Sequence, residues 1–336
     1  MPDSSDISAR GAAGSAGDAT GNATGRATGD VGYAGVGGSF KSGFATLVGR
    51  PNAGKSTLLN AIMGEKLAIT SSTSQTTRHR FRAVYDTDDM QLVIVDTPGL
   101  HKPADALGEE LNESALKGLD DVDVVCMLVD AAAPVGTGDE WVAARVARSD
   151  AEKVLVVTKT DLVGEDVVRR QLDAAGALAD FDAAVALSAR SGTGVAEFID
   201  LLAGMLPVGP RWFPAGTGLD QPDEVIVAEF VREKILRLTH DEVPHAIGVA
   251  TDSIERDSKT GFMHVEATVF VERESQKGIV IGKGGSLIKR IGTEARRDLE
   301  RLFGCRMHLS LSVKVRRDWR RDANQVRKFG YGDSAQ

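Results

Sequence analysis

Gly49-Arg50-Pro51-Asn52-Ala53-Gly54-Lys55-Ser56-Thr57 is a glycine-rich run between an apolar segment, 44–48, and a helix-forming segment, 57–63. In such a strand, loop and helix, backbone N–H groups turn toward a β-phosphate at the helix N-terminus. Lys55 is expected to reach the β- and γ-phosphate oxygens, and the Ser56 hydroxyl is expected to bind Mg²⁺. An ordinary strand-to-helix turn would not require all these positions. The run therefore predicts a nucleotide site formed by residues 49–57.

Length and charge indicate a chain of several domains with one basic end. A chain of 336 residues is long enough for about two or three domains. The net charge is −8, yet residues 273–328 hold 16 Lys/Arg against 6 Asp/Glu, a balance of +10. This asymmetry predicts an anion-binding end. No run of about 18 apolar residues occurs, so no membrane span is expected.

The tail and the cysteines point to an intracellular chain. Residues 1–40 are rich in Gly, Ala, Ser and Thr, and we expect them to form a disordered tail that is neither a signal peptide nor part of a core. The two cysteines, Cys126 and Cys305, are far apart and lack metal-ligand spacing. Their spacing suits a reducing cytoplasm and argues against a disulfide framework.

Residues 41–207 alternate apolar strands with helical patterns, which predicts an α/β doubly wound, mostly parallel sheet of the P-loop NTPase type. Strands are expected at 44–48, 81–85, 91–95, 122–129, 153–157 and 183–187, and helices at 56–63, 139–147, 165–179 and 194–206. Only residues 86–90 separate the second and third strands, so these strands should form an antiparallel hairpin at the sheet edge. Residues 208–222 contain several Gly and Pro and are interpreted as a linker.

Residues 223–330 predict a smaller α+β domain, followed by a tail at 331–336. The expected order is a helix at 223–238, strands at 246–254 and 262–272, a helix, a glycine loop, a helix at 286–303 and a strand at 307–315. This order is typical of an RNA-binding KH module, with Gly282 to Gly285 as its GxxG loop. The alternative is an ordinary helix–turn–helix joint.

The glycine loop predicts where single-stranded RNA would bind. Glycines let phosphates approach the backbone, and nearby cations supply counter-charge. The residues predicted to bind RNA are Ile281, Gly282, Lys283, Gly284, Gly285, Lys289 and Arg290. The bases would lie in an adjacent apolar groove lined by Ile279, Ile281 and Ile288.

Two further segments match a guanine-nucleotide switch. Asp96-Thr97-Pro98-Gly99 ends the third strand, where Asp96 can hold Mg²⁺ through water and the Gly99 N–H can sense a γ-phosphate. Thr77 lies in a loop that can supply a second Mg²⁺ oxygen in the triphosphate state; Thr76 is the alternative, and spacing does not decide between them. The predicted catalytic groups are Lys55, Thr77 and Gly99, and the predicted Mg²⁺ ligands are Ser56, Thr77 and Asp96.

Base selection is assigned to Thr158-Lys159-Thr160-Asp161 at the end of the fifth strand. The Asp161 carboxylate can accept from both N1–H and N2–H of guanine, and adenine offers no matching donor pair. Lys159 can lie along the ring, and Ser188-Ala189-Arg190 can place a backbone N–H against guanine O6. The usual pattern has Asn at position 158. Because the Thr158 hydroxyl is shorter, its reach to guanine N7 and its brace on the phosphate loop are in question, and so is the affinity.

These motifs together resemble an Era-type GTPase, a G domain followed by a KH domain, over about residues 41–330. The resemblance rests on GRPNAGKST at 49–57, QTTRHR at 75–80, DTPG at 96–99, EVPH at 242–245 and VIGKGG at 280–285. It implies a monomeric cytoplasmic factor that binds GTP and GDP. It also implies that GTP gates binding near the 3′ end of small-subunit ribosomal RNA during 30S assembly. Separately, the basic end could contact anionic lipid, which makes a peripheral position at the inner face of the cell membrane a further candidate.

The residue after DTPG is Leu100, which cannot position a water as the Gln of Ras-like proteins does. Slow hydrolysis would then rest on the phosphate loop, Mg²⁺, backbone contacts and a further cation. Asn52 is the candidate K⁺ ligand, and its alternative role is that of a turn residue. His79 is interpreted as an RNA or domain contact.

Two other functions compete with a GTPase that assembles ribosomes. One is a structural RNA-binding protein whose nucleotide site does not cycle, and the other is a membrane-surface GTPase. The intact Lys55, Ser56, Asp96 and Gly99 favour a cycling GTPase.

Overall fold

Seven strands form the central sheet in a computed structural model that describes residues 40–71, 73 and 76–331. The predicted tail at 1–40 lies outside these residues except for Phe40, as does Gln75 of the QTTRHR segment. The strands are β1 (Lys41–Gly49), β2 (Phe81–Asp86), β3 (Met90–Asp96), β4 (Val124–Asp130), β5 (Glu152–Thr158), β6 (Ala183–Ala186) and β7 (Leu219–Asp220). Their order is β6-β5-β4-β1-β3-β2-β7.

The sheet confirms the predicted doubly wound class. β1 pairs in parallel with β3 and β4, and β4, β5 and β6 continue in parallel. β2 and β3 form the predicted antiparallel hairpin. Because all the parallel strands point the same way, the segments that follow β1, β3 and β5 meet at one edge of the sheet. The predicted nucleotide motifs occupy that edge.

The segment predicted as a linker adds a strand to this sheet. β7, from that segment, pairs antiparallel with β2, so the hairpin lies one position inside the edge. Arg211 Nε donates to Asp86 Oδ1 at 3.0 Å, and the Trp212 N–H donates to Gln91 Oε1 at 2.7 Å. Residues 208–222 are therefore attached along the sheet. A two-residue strand is too short for an alternating pattern to reveal.

Helices cover both faces of the sheet. They are α1 (Lys55–Met63), α2 (Ala106–Lys117), α3 (Thr137–Val146), α4 (Glu165–Gly176) and α5 (Val195–Met205). α1 and α5 pack on one face and α2, α3 and α4 on the other. α2 has no counterpart in the prediction. Asp105 caps its N-terminus, and the Asp105 carboxylate accepts from the Gly108 N–H at 2.9 Å.

The second domain has the predicted KH order, followed by a short C-terminal helix that was not predicted. It comprises α6 (Asp223–Leu238), β8 (Gly248–Arg256), β9 (Met263–Val271), α7 (Glu274–Ile281), α8 (Ser286–Phe303), β10 (Met307–Val315) and α9 (Ala323–Lys328). β9 lies between β8, which is antiparallel to it, and β10, which is parallel to it. Val231 of α6 and Ile291 of α8 share a core with Val269 of β9. No helix in the described part of the chain is both long and apolar enough to cross a membrane.

A shared cluster joins the two domains. Leu107 and Leu111 of α2 pack with Phe270 of β9 and with residues near the C-terminus: Trp319, Val326, Phe329 and Tyr331. Tyr331, predicted as the first residue of a tail, is fully buried. The rest of that tail, 332–336, lies outside the described residues.

Candidate nucleotide site and nucleic-acid interface

The phosphate loop has the backbone that its glycines allow. Gly54 has φ 95° and caps α1, a conformation that side chains rarely adopt. A Cβ on Gly49 would lie 2.6 Å from the Leu128 carbonyl oxygen, so the close approach of β1 to β4 also requires glycine. The loop bounds a cavity of about 310 Å³. The predicted residues that line this cavity are Pro51, Asn52, Gly54, Lys55, Ser56, Thr57, Thr77, Gly99 and Lys159.

Lys55 and Asp96 are the charged groups buried beneath the loop. Lys55 Nζ donates to the Gly49 carbonyl at 3.3 Å and to the Arg50 carbonyl at 3.2 Å. Burial lowers the pKa of Lys55 to about 8, although Asp96 opposes the shift. Burial also raises the pKa of Asp96 to about 6, opposed by Lys55 and by hydrogen bonds from Ser56 and Thr77. A phosphate beside Lys55 and a cation beside Asp96 would reverse these shifts.

The three predicted Mg²⁺ ligands converge. Ser56 Oγ donates to Asp96 Oδ2 at 2.6 Å and lies 2.8 Å from Thr77 Oγ1, which is 3.4 Å from Asp96 Oδ2. The buried Asp96 Oδ1 has no hydrogen-bond partner in the described part of the chain. Hydroxyl and carboxylate oxygens suit Mg²⁺, which takes its remaining ligands from phosphates and water. These residues therefore fit the ion.

The structure distinguishes between the two candidate threonines. Thr76 Oγ1 donates to the Thr73 carbonyl at 2.5 Å, away from Asp96. Both threonines border the cavity, and the Thr77 hydroxyl is the one that faces Asp96. Within residues 40–71, 73 and 76–331, no group of three or more His, Cys, Asp and Glu is arranged to hold a metal.

The DTPG segment packs tightly against the loop. A Cβ on Gly99 would lie 2.8 Å from Pro51 Cα, so only glycine fits there. The Leu100 N–H donates to the Gly49 carbonyl at 3.1 Å, and the Leu100 side chain is buried in the core with α2 and α3. Thr97 Oγ1 donates to the Leu47 carbonyl at 2.8 Å. Leu100 thus offers no polar group to the cavity.

Other predicted loop residues act through the backbone or the core. Arg50 Nη1 forms an ion pair with Asp139 Oδ2 at 2.9 Å, which directs its side chain toward α3. Ala53 and Pro98 are buried, and the Ala53 N–H donates to the Arg50 carbonyl at 3.2 Å. These three side chains do not line the cavity beside the phosphate loop.

Thr158 braces the phosphate loop. Its Oγ1 donates to the Ala53 carbonyl at 2.8 Å and lies 3.2 Å from the Val129 carbonyl. The expectation that the Thr158 hydroxyl could be too short to reach the loop is wrong, because the loop backbone comes close enough for the shorter side chain. Thr158 is only 2% exposed, and its hydroxyl is directed at these carbonyls.

The proposed base-recognition residues lie around the end of β5. Ser188 Oγ donates to Asp161 Oδ1 at 2.6 Å and thereby orients the carboxylate. Lys159 Nζ pairs with Asp130 Oδ2 at 2.6 Å and lines the cavity. Ala189 and Arg190 follow Ser188 in a turn closed by the Gly192 N–H. Asp130 was not predicted as a site residue, although its position at the end of β4 places it at the same edge of the sheet as the other nucleotide motifs.

The GxxG loop presents backbone to solvent. Gly282 has φ 72°, and a Cβ there would lie 2.7 Å from Leu287 Cβ. Gly284 and Gly285 also have positive φ, 60° and 78°, with open space where a Cβ would be. Lys283 is exposed and forms no ion pair with any described residue. Phosphates can therefore reach both the backbone and this ammonium group.

A groove of about 270 Å³ runs beside the loop between α8 and β10. Of the three isoleucines predicted to line a groove here, Ile288 does, and Ile279 and Ile281 do not; Lys289, predicted to supply positive charge, also lines it. Ile279 of α7 is instead 48% exposed, and Arg290 pairs with Glu294 along α8 at 2.8 Å. The lining residues missed by the sequence analysis include Gly292 and Leu311. A glycine inside a strong helix pattern was the available signal.

Comparison with known proteins matches both halves of the chain. A family model described as 50S ribosome-binding GTPase matches residues 44–159, and one described as KH domain matches residues 242–320. A crystal structure of Era in complex with MgGDPNP and nucleotides 1506–1542 of 16S ribosomal RNA is 34% identical, with a TM-score of 0.84 over 87% of this chain and 99% of that one. A point variant of Aquifex aeolicus Era bound to GDP·AlF4⁻ is also 34% identical, with a TM-score of 0.83 over 87% of this chain and 100% of that one.

Proposed function

The chain belongs to the Era family of GTPases, and on this premise we propose that it is a slow GTP-hydrolysing switch that binds small-subunit ribosomal RNA near its 3′ end during 30S assembly. Support for the RNA comes from the relative that binds nucleotides 1506–1542 of 16S ribosomal RNA along with MgGDPNP. That relative is matched over both domains, so the likeness includes the nucleotide cavity and the GxxG loop.

The observation that carries the proposal is the convergence of Ser56, Thr77 and Asp96 beside Lys55. Ser56 and Thr77 would ligate Mg²⁺ directly, and Asp96 would hold it through water. When bound, Mg²⁺ neutralises charge on the β- and γ-phosphate oxygens. Lys55 would pair with the same oxygens, and the Gly99 N–H would donate to the γ-phosphate.

Hydrolysis would proceed without a side chain that orients the attacking water, because Leu100 is buried. We therefore propose slow turnover assisted by K⁺ at Asn52. Asn52 has φ 64°, a conformation that asparagine tolerates better than most residues, and it lines the cavity beside the loop. A plain turn residue would have the same backbone, and exchanging K⁺ for Na⁺ distinguishes the two roles.

Guanine selection is proposed for Asp161, held by Ser188. A carboxylate fixed by one hydroxyl keeps acceptor capacity for the guanine N1–H and N2–H donors. Lys159 would lie against the ring, while Thr158 stabilises the loop from below. Adenine would leave the carboxylate without its donors.

RNA binding is proposed for the GxxG loop and the groove beside it. Lys283 and the exposed glycines would hold phosphates, and bases of single-stranded RNA would enter the groove along Ile288. Lys289 lines the same groove, and Arg290 would add positive charge nearby. We further expect a monomer that acts on the 30S subunit in the cytoplasm. A peripheral contact with an anionic membrane remains a candidate because of the basic end.

Nucleotide selectivity and RNA capture test the proposal together. GTP and GDP should compete for the site, ATP should not, and phosphate release should depend on Mg²⁺. Crosslinking in cells should recover small-subunit ribosomal RNA. Asp161→Asn should shift preference toward xanthine nucleotides, whose edge reverses the donor requirement. GTP binding without any phosphate release would favour the structural RNA-binding protein.

A further inference from the structure

Thr77 and Arg78 are adjacent, yet their side chains serve different domains. Thr77 Oγ1 lies in the proposed Mg²⁺ site, 2.8 Å from Ser56 Oγ. The Arg78 guanidinium is buried against the KH domain, and its Nη1 donates to the Ile247 carbonyl just before β8 at 2.5 Å. The segment before β2 therefore joins the nucleotide cavity to the KH domain within two residues.

The Arg78 guanidinium packs against two aromatic rings, which together form its seat. Its guanidinium carbon lies 5.1 Å from the centre of the Tyr331 ring and 5.6 Å from that of the Trp319 ring. Trp319 Nε1 donates to the Ala246 carbonyl at 3.0 Å, and Tyr331 Oη accepts from the Val249 N–H at 3.2 Å. Both rings are thus fixed to the start of β8, and they hold the guanidinium through cation–π contact.

This arrangement is a poor one for stability alone. Arg78 forms no ion pair with a carboxylate of the described residues, and its buried Nε has no hydrogen-bond partner there. Burying a cation without a carboxylate partner costs free energy. We therefore interpret the buried Arg78 as a residue that fixes the position of its segment.

The neighbours of Thr77 are held by the same domain. Arg232 of α6 donates to the Thr76 carbonyl, and His79 Nδ1 lies 3.3 Å from Glu229 Oε1 of α6. Glu229 in turn pairs with Arg232 at 2.5 Å. KH residues therefore contact the chain on both sides of Thr77, while the Thr77 hydroxyl lies beside Ser56 and Asp96 in the nucleotide cavity.

We propose that Arg78 is a positioning residue of the GTPase site, seated on Trp319 and Tyr331, and that it holds Thr77 where Mg²⁺·GTP requires it. The inference rests on the proposed role of Thr77 as an Mg²⁺ ligand. It makes the KH domain a structural part of the triphosphate site. The diphosphate state does not need Thr77, since segments of this kind are ordered by the γ-phosphate and Mg²⁺.

Arg78→Met tests the proposal because methionine keeps the length and apolar contacts and removes the guanidinium. The affinity for a non-hydrolysable GTP analogue with Mg²⁺ should fall about tenfold, within the range of coupled sites. The Mg²⁺ concentration at half-maximal hydrolysis should rise, while the GDP affinity should change less than about twofold. Tyr331→Leu, which removes one of the two π faces and the acceptor of the Val249 N–H but leaves Trp319 in place, should shift the same quantities in the same direction by less. Thermal unfolding checks that each variant is folded.

Arg82→Met is the matched control. Arg82 lies on β2, half exposed, and pairs with Asp220 at 3.1 Å, so its loss should change none of these quantities. Unchanged analogue affinity and Mg²⁺ dependence in Arg78→Met, or an equal loss of GDP and analogue affinity, would overturn the inference. Thr77→Ala tests the role of Thr77 as an Mg²⁺ ligand separately from the positioning role of Arg78. If it too leaves the analogue affinity unchanged, the assignment of Thr77 as Mg²⁺ ligand fails, and with it the premise.

Discussion

The Thr158 hydroxyl donates a 2.8 Å hydrogen bond to the Ala53 carbonyl and so links the end of β5 to the middle of the phosphate loop. The same hydroxyl lies 3.2 Å from the Val129 carbonyl of β4. Thr158 therefore connects base-recognition and phosphate-binding segments without contacting solvent. We propose that this contact holds the loop in place.

Removing this hydroxyl should weaken nucleotide binding. Thr158→Val keeps the shape but leaves the Ala53 carbonyl without its donor, a loss of about 1–3 kcal/mol for a buried group. Thr158→Asn should instead tighten binding by about 1 kcal/mol, because its amide can replace the brace and add a bond to guanine N7. Titration with GDP measures both. Thr160→Val, on the adjacent turn, serves as control, and a GDP affinity unaffected by Thr158→Val would remove the brace from the account.

Acid should weaken Mg²⁺-dependent binding. The pKa of Asp96 is raised to about 6 by burial, so the free protein increasingly holds a proton there as the pH falls through that value. Mg²⁺ requires the carboxylate, and proton and ion therefore compete. The Mg²⁺ concentration needed for half-maximal GTP-analogue binding should rise as the pH falls from about 7 to about 5. A midpoint independent of pH over this interval would show that Asp96 does not hold the ion.

Hydrolysis should be slow and should depend on K⁺. Unassisted switch GTPases turn over at about 10⁻⁴ to 10⁻² s⁻¹, and we expect a rate in this range since Leu100 cannot orient water. Replacing K⁺ by Na⁺ at constant ionic strength should lower the rate, and Asn52→Ala should abolish the difference. Phosphate release under single-turnover conditions measures it. Equal rates in both salts, or a K⁺ effect that survives Asn52→Ala, would leave Asn52 as a turn residue.

The RNA site should be separable from the nucleotide site. Converting Lys283 and Gly284 to Asp places carboxylates where phosphates approach, and RNA affinity should collapse while GTP affinity persists. Gly284 has φ 60° with open space at its Cβ position, a conformation that Asp tolerates, so the variant should fold. Lys259→Asp with Thr260→Asp, in the β8–β9 turn, is the matched control. Full RNA affinity in the folded Lys283 and Gly284 variant would relocate binding to another basic surface, such as Arg317 and Arg321.

Local features of this structure were predictable from sequence because local geometry determines them. The phosphate loop and the GxxG loop contain backbone conformations that glycine adopts readily and other residues rarely do, so their glycines could be recognised in the sequence. The hairpin of β2 and β3 followed from a connection too short for a crossover. The strong helical period of 286–303 identified α8 with both of its ends.

Features that join distant parts of the chain were not predictable. Tyr331 meets Arg78 across more than half of the sequence, and nothing near either residue indicates the other. The reach of Thr158 depends on how closely the loop approaches β5, a distance that no pattern in one sequence measures. The groove is lined by Gly292 and Leu311 and not by Ile279, because it lies between α8 and β10.

We propose that the nucleotide state and the RNA affinity are coupled through the segment that contains Thr77 and Arg78. Coupled sites typically differ by about 1–3 kcal/mol, so the protein loaded with a GTP analogue should bind RNA several-fold tighter than the GDP form. By reciprocity, RNA should tighten binding of the analogue by the same factor. The direct measurement is to titrate one oligonucleotide from the 3′ end of small-subunit ribosomal RNA into both forms. We expect a lower Kd for the analogue-bound form, and identical Kd values for the two forms would contradict the coupling.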